Sequence, residues 1–146
     1  IIKSSSLKSF TCPKELVPSL IDELPILFVI AGLTNGVSKF KSINEATKKE
    51  SNRIREMQKL LTQSGILCRS TNDTMTIYGK ENLNLKNRYI TVKTKGDHRI
   101  CMSAVILALV TGIKIKINNF ETVNTSFPNF ISLIRSIGGK IEIKKN

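Results

Sequence analysis

The stretch that most constrains the fold of this chain is an apolar run from Ile100 to Val110. It follows directly on Asp97, whose carboxylate can accept hydrogen bonds from the free N–H groups of a first helical turn, and Gly112 provides a C-terminal stop. These signals predict a helix from about His98 to Thr111. Because the run is apolar nearly all round the helix, we expect the helix to be buried.

A second apolar helix is predicted upstream, from Glu23 to about Asn35. Asp22 is expected to cap this helix and Gly36 to end it. Pro13 and Pro18 are expected to keep the preceding stretch from being helical. The two apolar helices are similar in length, and similar elements follow each of them along the chain.

The predicted elements indicate an α/β fold with an internal repeat. An amphipathic helix from Lys49 to Ser64 and a short helix from Pro128 to Ser136 follow the two apolar helices. The predicted strands are Val37–Phe40, Ile66–Arg69, Met75–Tyr78, Tyr89–Lys93, Ile113–Ile117 and Lys140–Ile143. We predict two β-α-β-α-β-β units, about residues 13–93 and 94–146, with the buried helices facing inward and the sheets outside.

The charge balance of the chain is strongly basic, with a formal net charge of +12 over 146 residues. Such a charge is compatible with nucleic acid, an anionic membrane surface or anionic substrates as partners. The lysines are scattered, however, and only 5% of the residues are aromatic, with no Trp. A basic nucleic-acid module is therefore the outsider, and a flat salt dependence of any DNA binding would dismiss it.

The cysteines and the apolar runs indicate the compartment. Cys12, Cys68 and Cys101 are odd in number and widely spaced, which is typical of reduced thiols and predicts neither a disulfide framework nor a metal site. The apolar runs are shorter than the roughly 18–20 residues that a membrane span requires. Residues 1–11 lack the apolar segment of a secretory leader. We therefore expect a cytoplasmic protein with no membrane partner.

One group of charged residues is predicted to form a site for small anions. Lys49, Glu50 and Arg53 are spaced so that they share one end of the predicted amphipathic helix. Asp22 and Arg99 stand at the starts of the two apolar helices, where unsatisfied N–H groups favour anions. Arginine binds carboxylate or phosphate with two hydrogen bonds, and carboxylates can move protons. The alternative is that each of these residues is an ordinary cap or a solvated helix end.

At these residues the chain resembles the 5-enolpyruvylshikimate-3-phosphate synthases, which are 3-phosphoshikimate 1-carboxyvinyltransferases. Four motifs stand in the family's order, namely Asp22-Glu23-Leu24-Pro25, Lys49-Glu50-Ser51-Asn52-Arg53, Gly96-Asp97-His98-Arg99-Ile100 with Met102-Ser103, and Thr125-Ser126-Phe127-Pro128-Asn129-Phe130. The likeness runs from Ser4 to Ile143 and corresponds to about the last third of the family's length.

The resemblance implies an activity and a set of roles. Members of the family transfer enolpyruvyl from phosphoenolpyruvate to the 5-hydroxyl of shikimate 3-phosphate, on the way to chorismate and the aromatic amino acids, with no metal or organic cofactor. By motif match, Asp22 accepts the hydroxyl proton and also contacts shikimate 3-phosphate, which Lys49 holds. Glu50 protonates the methylene carbon of phosphoenolpyruvate, and Arg53 and Arg99 bind that substrate.

Some motif positions depart from the family's pattern. Thr47 stands where the family usually has Arg, Asn52 where it has Asp, and Thr125 where one class of the family has a phosphate-binding lysine. Because of Thr47 and Asn52, we expect the loop ahead of Arg53 to be held less firmly. We interpret Asp97, together with the histidine that follows it, as structural.

The larger departure is the absence of the family's other domain, so this chain alone is expected to be inactive. Either a separate chain supplies that domain, or the chain is a non-catalytic remnant. The related UDP-N-acetylglucosamine enolpyruvyl transferase fits the motifs less well.

Overall fold

A computed structural model describes residues 6–143 of the chain. Its helices are α1 (Val17–Leu20), α2 (Leu24–Gly32), α3 (Arg53–Gln63), α4 (His98–Thr111), α5 (Val123–Ser126) and α6 (Phe130–Ser136), and its strands are β1 (Gly36–Lys41), β2 (Leu67–Ser70), β3 (Thr74–Gly79), β4 (Tyr89–Lys93) and β5 (Lys114–Asn118). Short 3₁₀ turns lie at Lys14–Leu16, Asn44–Thr47 and Phe120–Thr122.

The strands form two sheets. In the first, β3 lies between β1 and β2 and pairs with both in the antiparallel sense, as the predicted hairpin requires. In the second, β4 and β5 pair in parallel, with Tyr89 opposite Lys114. A parallel bridge between Thr11 and Lys39 extends the first sheet at its edge. In each sheet, two segments that pair in parallel are separated along the chain by an apolar helix. That helix is α2 in the first sheet and α4 in the second, as in a β-α-β crossover.

The two apolar helices lie in the core, as predicted. In α2, Leu24, Phe28 and Val29 are buried, and in α4, Ile100 and Leu107 are buried. Helices α2 and α4 pack on each other, and α2 also packs on β3 and α4 on β5. The prediction of an α/β fold with inward apolar helices and sheets outside is confirmed.

The ends of α4 agree with the sequence signals. The Asp97 carboxylate accepts hydrogen bonds from the backbone N–H groups of Arg99 and Ile100, and it therefore caps the helix. Gly112 follows the last helical residue with φ of 75°, a left-handed conformation that glycine adopts without a Cβ penalty. The cap and the stop each depend on residues within a few positions of one another, so local sequence is sufficient to determine both ends of α4.

The predicted cap and boundaries of α2 were wrong. Its N-cap residue is Glu23, in right-handed helical conformation and without a side-chain hydrogen bond, so Asp22 does not cap the helix. The reason is that α1 runs almost directly into α2, which leaves no extended residue to act as a cap. Helix α2 also ends at Gly32, and Gly36 is instead the first residue of β1.

Two further predictions were wrong. The stretch around Pro13 and Pro18 is partly helical, because Pro18 lies in the first turn of α1, where no N–H group needs a partner. The strand predicted at Lys140–Ile143 is absent, and this segment has no regular structure. There, Arg135 donates to the carbonyl of Ile141, a local contact in place of a strand ladder.

The repeat units at about 13–93 and 94–146 stay a prediction, although the pairing of β4 with β5 favours placing β4 in the second unit. Within the described part of the chain, no helix is both long and apolar enough to cross a membrane.

Candidate active site

Arg53 is the centre of the candidate site. It is the first residue of α3, and its side chain is only 1% exposed. Its Nε donates to Asp97 at 2.9 Å, one terminal nitrogen donates to Asp22 at 2.7 Å, and the other donates to Glu50. The pKa of Arg53 is raised: burial alone would lower it, and the hydrogen bonds to Asp97 and Asp22 outweigh burial. The guanidinium thus binds three carboxylates and stays charged in the core.

Asp97 is the buried partner in this group, with no exposed surface. One carboxylate oxygen caps α4, while the other accepts hydrogen bonds from the Ser51 hydroxyl and from Arg53, each at 2.9 Å. The sequence predicted the cap but not these two contacts. A carboxylate that caps a helix through one oxygen has a second acceptor oxygen. A partner for that second oxygen could therefore have been expected from the sequence.

Asp22 links the cations of the site. Its carboxylate lies 3.2 Å from the Lys49 ammonium and 2.7 Å from Arg53, and 3.8 Å separates it from the Arg99 guanidinium. The hydrogen bond from Arg53 is the main cause that lowers the pKa of Asp22, with Lys49 and Arg99 contributing. Asp22 is therefore a carboxylate at neutral pH, and it faces three positive charges.

Arg99 is the more accessible arginine, with its side chain about one third exposed. It donates to the backbone carbonyl of Asp22 at 2.9 Å and to the Glu23 carboxylate at 3.3 Å. Arg99 lines a groove of about 240 Å³, and the apolar part of the lining includes Ile26 and Ile106. A small anion with an apolar part could therefore enter this groove and reach Arg99.

Lys49 and Glu50 do not lie on α3, contrary to the helical spacing used to group them. The helix begins at Arg53, because Asn52 caps it by accepting a hydrogen bond from the Arg55 N–H at 3.0 Å. Lys49 and Glu50 stand in the loop that enters the helix and still contact Asp22 and Arg53. Asn52 caps as well as an aspartate would, so this departure does not loosen the start of α3.

The other two departures lie outside the network of ion pairs. The Thr47 hydroxyl donates to the carbonyl of Asn44, and the Thr125 hydroxyl donates to the carbonyl of Thr122. Both side chains are engaged in local hydrogen bonds in the described structure. Across residues 6–143, no group of three or more His, Cys, Asp or Glu side chains is arranged to hold a metal ion.

The structure thus joins all five predicted site residues, Asp22, Lys49, Glu50, Arg53 and Arg99, through direct ion pairs. Their roles in binding and catalysis stay a prediction. Cations beside exposed carboxylates can bind anions and transfer protons. The fold and this network define an α/β domain that brings cations and carboxylates from separate segments together beside a groove.

Comparison with known proteins places the domain in a family. Residues 2–134 match the family model of EPSP synthase (3-phosphoshikimate 1-carboxyvinyltransferase). The chain belongs to the EPSP synthase family.

Two relatives and one solved structure are similar to nearly the whole of this chain. The 3-phosphoshikimate 1-carboxyvinyltransferase of Methylococcus capsulatus is 40% identical over 142 residues, which are 97% of this chain and 31% of the relative. That of Paramagnetospirillum magneticum is 33% identical over 141 residues, again 97% of this chain and 31% of the relative. The structure of EPSP synthase from Acinetobacter baumannii at 2.37 Å superposes with a TM-score of 0.89 and 35% identity, over 96% of this chain and 32% of that one. The chain therefore spans about a third of the length of these relatives.

Proposed function

We propose that this chain forms part of a 3-phosphoshikimate 1-carboxyvinyltransferase. The reaction transfers the enolpyruvyl group of phosphoenolpyruvate to the 5-hydroxyl of shikimate 3-phosphate and releases phosphate. Family membership supports the proposal, and so does the name that the similar proteins share. The observation that carries it is the single network of ion pairs that joins Asp22, Lys49, Glu50, Arg53 and Arg99.

The chemistry needs an acid, a base and cations in one place. A proton adds to the methylene carbon of phosphoenolpyruvate, and the hydroxyl oxygen then bonds to the adjacent carbon as the hydroxyl loses its proton. Loss of a proton from the new methyl group and departure of phosphate restore the double bond. We propose that Glu50 delivers the first proton and that Asp22 accepts the hydroxyl proton. The side chains of Glu50 and Asp22 are 48% and 41% exposed, so both can reach a ligand.

The cations would hold the two anionic substrates. Lys49, with its side chain 34% exposed, would bind shikimate 3-phosphate beside Asp22. Arg99, which lines the groove and is about one third exposed, would bind phosphoenolpyruvate directly. Arg53 uses three of its five N–H donors on carboxylates, but its side chain is only 1% exposed, so it can reach phosphoenolpyruvate only if Asp22 or Glu50 moves aside.

The site on this chain is one wall of a pocket. The side chains of Asp22 and Glu50 remain partly exposed, so the described part of this chain does not enclose the site. Orientation of two substrates requires contacts from several sides. We therefore propose that the polypeptide corresponding to the remaining two thirds of the relatives supplies the opposite wall, in the same protein or as a separate chain. The cytoplasmic location expected from the three free, buried cysteines belongs to this proposal.

The test is a phosphate-release assay with shikimate 3-phosphate and phosphoenolpyruvate in the presence of a metal chelator. The assay is run on this chain alone and on this chain mixed with a second polypeptide. That polypeptide comprises the first two thirds of a similar enzyme. We expect release only in the mixture, and we expect Arg99→Ala to abolish it. The matched control is Arg55→Ala, an exposed arginine on α3 outside the network, which should leave the rate unchanged.

Each result has a defined meaning. Release in the mixture that requires Arg99 supports the proposal. No release in either preparation would contradict it and favour a non-catalytic remnant. Release by the chain alone would contradict the proposed second wall.

A further inference from the structure

Glu56 is a buried carboxylate that the proposed chemistry does not use. It lies on α3, and its side chain is only 4% exposed. Its carboxylate contacts the ammonium groups of Lys59 and Lys95, each at 3.1 Å. Burial would raise the pKa of Glu56, but the hydrogen bonds from the two lysines lower it overall. Burial of a charged carboxylate carries a desolvation cost even when two cations pair with it. We therefore expect Glu56 to have a role in the fold or in the site.

The partner Lys95 stands in a turn with an unusual backbone. The N–H of Asp97 donates to the carbonyl of Thr94 at 3.0 Å, which closes a four-residue turn. Its two central residues, Lys95 and Gly96, have φ of 53° and 82°. Positive φ at both positions is the pattern of a type I′ turn, which glycine, asparagine and aspartate favour. Lysine at the first central position therefore needs support from outside the turn.

The turn leads directly into the active site. Asp97 ends the turn, caps α4 and binds Arg53. Helix α3 thus holds the turn at two points one helical turn apart, through Arg53 to Asp97 and through Glu56 to Lys95. On the other side, the Thr94 hydroxyl donates to the carbonyl of Asn118 at the end of β5.

We propose that Glu56 is a positioning residue of the site. Its charge holds Lys95 in the left-handed conformation, which keeps the turn against α3 and Asp97 aligned with Arg53. Arg53 can then direct its terminal nitrogens toward Asp22 and Glu50. This inference rests on the proposed function only for the relevance of Arg53 to substrate binding.

The alternative is a purely local role, in which Glu56 and Lys59 form an ordinary pair along one helix face and Lys95 contributes nothing. Two substitutions of Lys95 separate the alternatives, because both remove the ammonium group from a side chain that is more than half exposed. The Lys95→Met side chain has a Cβ atom that disfavours positive φ at position 95. Lys95→Gly has no Cβ atom, so its backbone adopts positive φ readily. Glu56→Gln removes the charge from the other partner.

The experiment follows the Nε–H group of Arg53 by ¹⁵N NMR on the 146-residue chain, whose mass of 16.3 kDa suits the method. A hydrogen bond to a buried carboxylate should make this proton exchange slowly with solvent. We expect exchange at least about tenfold faster in both Lys95→Met and Glu56→Gln. The first removes the ion pair that supports positive φ, and the second leaves a neutral hydrogen bond roughly half as strong as the charge-assisted one. Lys95→Gly should stay within about twofold of the parent, because glycine needs no support at positive φ.

Two controls complete the test. Lys59→Ala should change the exchange rate by less than about twofold, since Lys59 lies on the same helix as Glu56 and its pair does not reach the turn at Lys95. In Glu56→Gln combined with Lys95→Gly, slow exchange should return. Equal rates in Lys95→Met and Lys95→Gly would overturn the proposal, whatever Glu56→Gln does to the stability of the chain. The measurement needs no turnover, so failure of the phosphate-release assay leaves its outcome unaffected.

Discussion

The Nε atom of Arg53 lies 2.9 Å from a carboxylate oxygen of Asp97, and neither side chain has appreciable solvent exposure. The two residues are 44 positions apart in the sequence, yet they join the first turn of α3 to the cap of α4. Burial of both charges carries a desolvation cost, which additional hydrogen bonds to each partner offset. The pair therefore links the start of α3 to the start of α4, where the residues of the candidate site lie.

We predict that Asp97→Asn destabilises the chain by about 2–4 kcal/mol, because it leaves the buried Arg53 without its charged partner. The asparagine can still cap α4 through its amide oxygen, so the loss reports on the ion pair. Urea unfolding followed by circular dichroism measures the change. The control is Glu45→Gln in the exposed pair with Lys48, which should change stability by less than about 0.5 kcal/mol. Similar losses of stability in Asp97→Asn and Glu45→Gln would show that the buried ion pair stabilises the fold no more than the exposed one.

The two arginines of the site should respond differently to truncation. Arg53→Ala removes a buried cation from three carboxylates and should cost about 3–5 kcal/mol of stability. Arg99→Ala removes a partly exposed cation and should cost less than about 1 kcal/mol. Thermal unfolding of both variants measures the contrast. Equal destabilisation would mean that Arg99 is a structural residue and would weaken its proposed role in binding.

The contribution of Asp22 to stability should depend on pH. Its pKa in the folded chain is lowered below the ordinary value of 3.8, chiefly by the hydrogen bond from Arg53. A lowered pKa means stability that is present above the unfolded value and is lost as pH falls through the folded one. The difference in urea midpoint between the parent and Asp22→Asn should therefore be constant from about pH 7 toward 5 and should shrink in more acid solution. A difference that grows on acidification would contradict the ion-pair assignment.

In the assembled enzyme, Glu50→Gln should lower kcat by about 10²-fold or more, since a positioned general acid typically contributes that much. The KM for phosphoenolpyruvate should change by less than about fivefold, because glutamine can still accept a hydrogen bond from Arg53. Steady-state phosphate release measures both constants. Glu15→Gln is the matched control, because Glu15 is an exposed carboxylate in the 3₁₀ turn before α1. An unchanged kcat in Glu50→Gln would remove Glu50 from the proposed chemistry.

Much of the fold could be predicted from the sequence, because its signals act over short distances. The cap at Asp97, the stop at Gly112 and the apolar character of α2 and α4 depend on residues a few positions apart. The amphipathic stripe of α3 likewise predicted its buried face, which includes Ile54 and Met57. The motifs also indicated which side chains to examine for a site.

Other features were decided only by the tertiary structure. Asp22 was predicted as a cap but instead binds Arg53, 31 positions away, and Arg99 reaches the backbone of Asp22 across 77 positions. Lys49 and Glu50 were grouped by helical spacing, yet they meet Arg53 from a loop. The sequence by itself determined the two apolar helices, the cap and stop of α4 and the strands β1 to β5, since hydrogen bonds and periodicity within a few residues set them. Which charges meet was decided only when α2, α3 and α4 packed together, because a buried charge takes the partner that packing brings within reach.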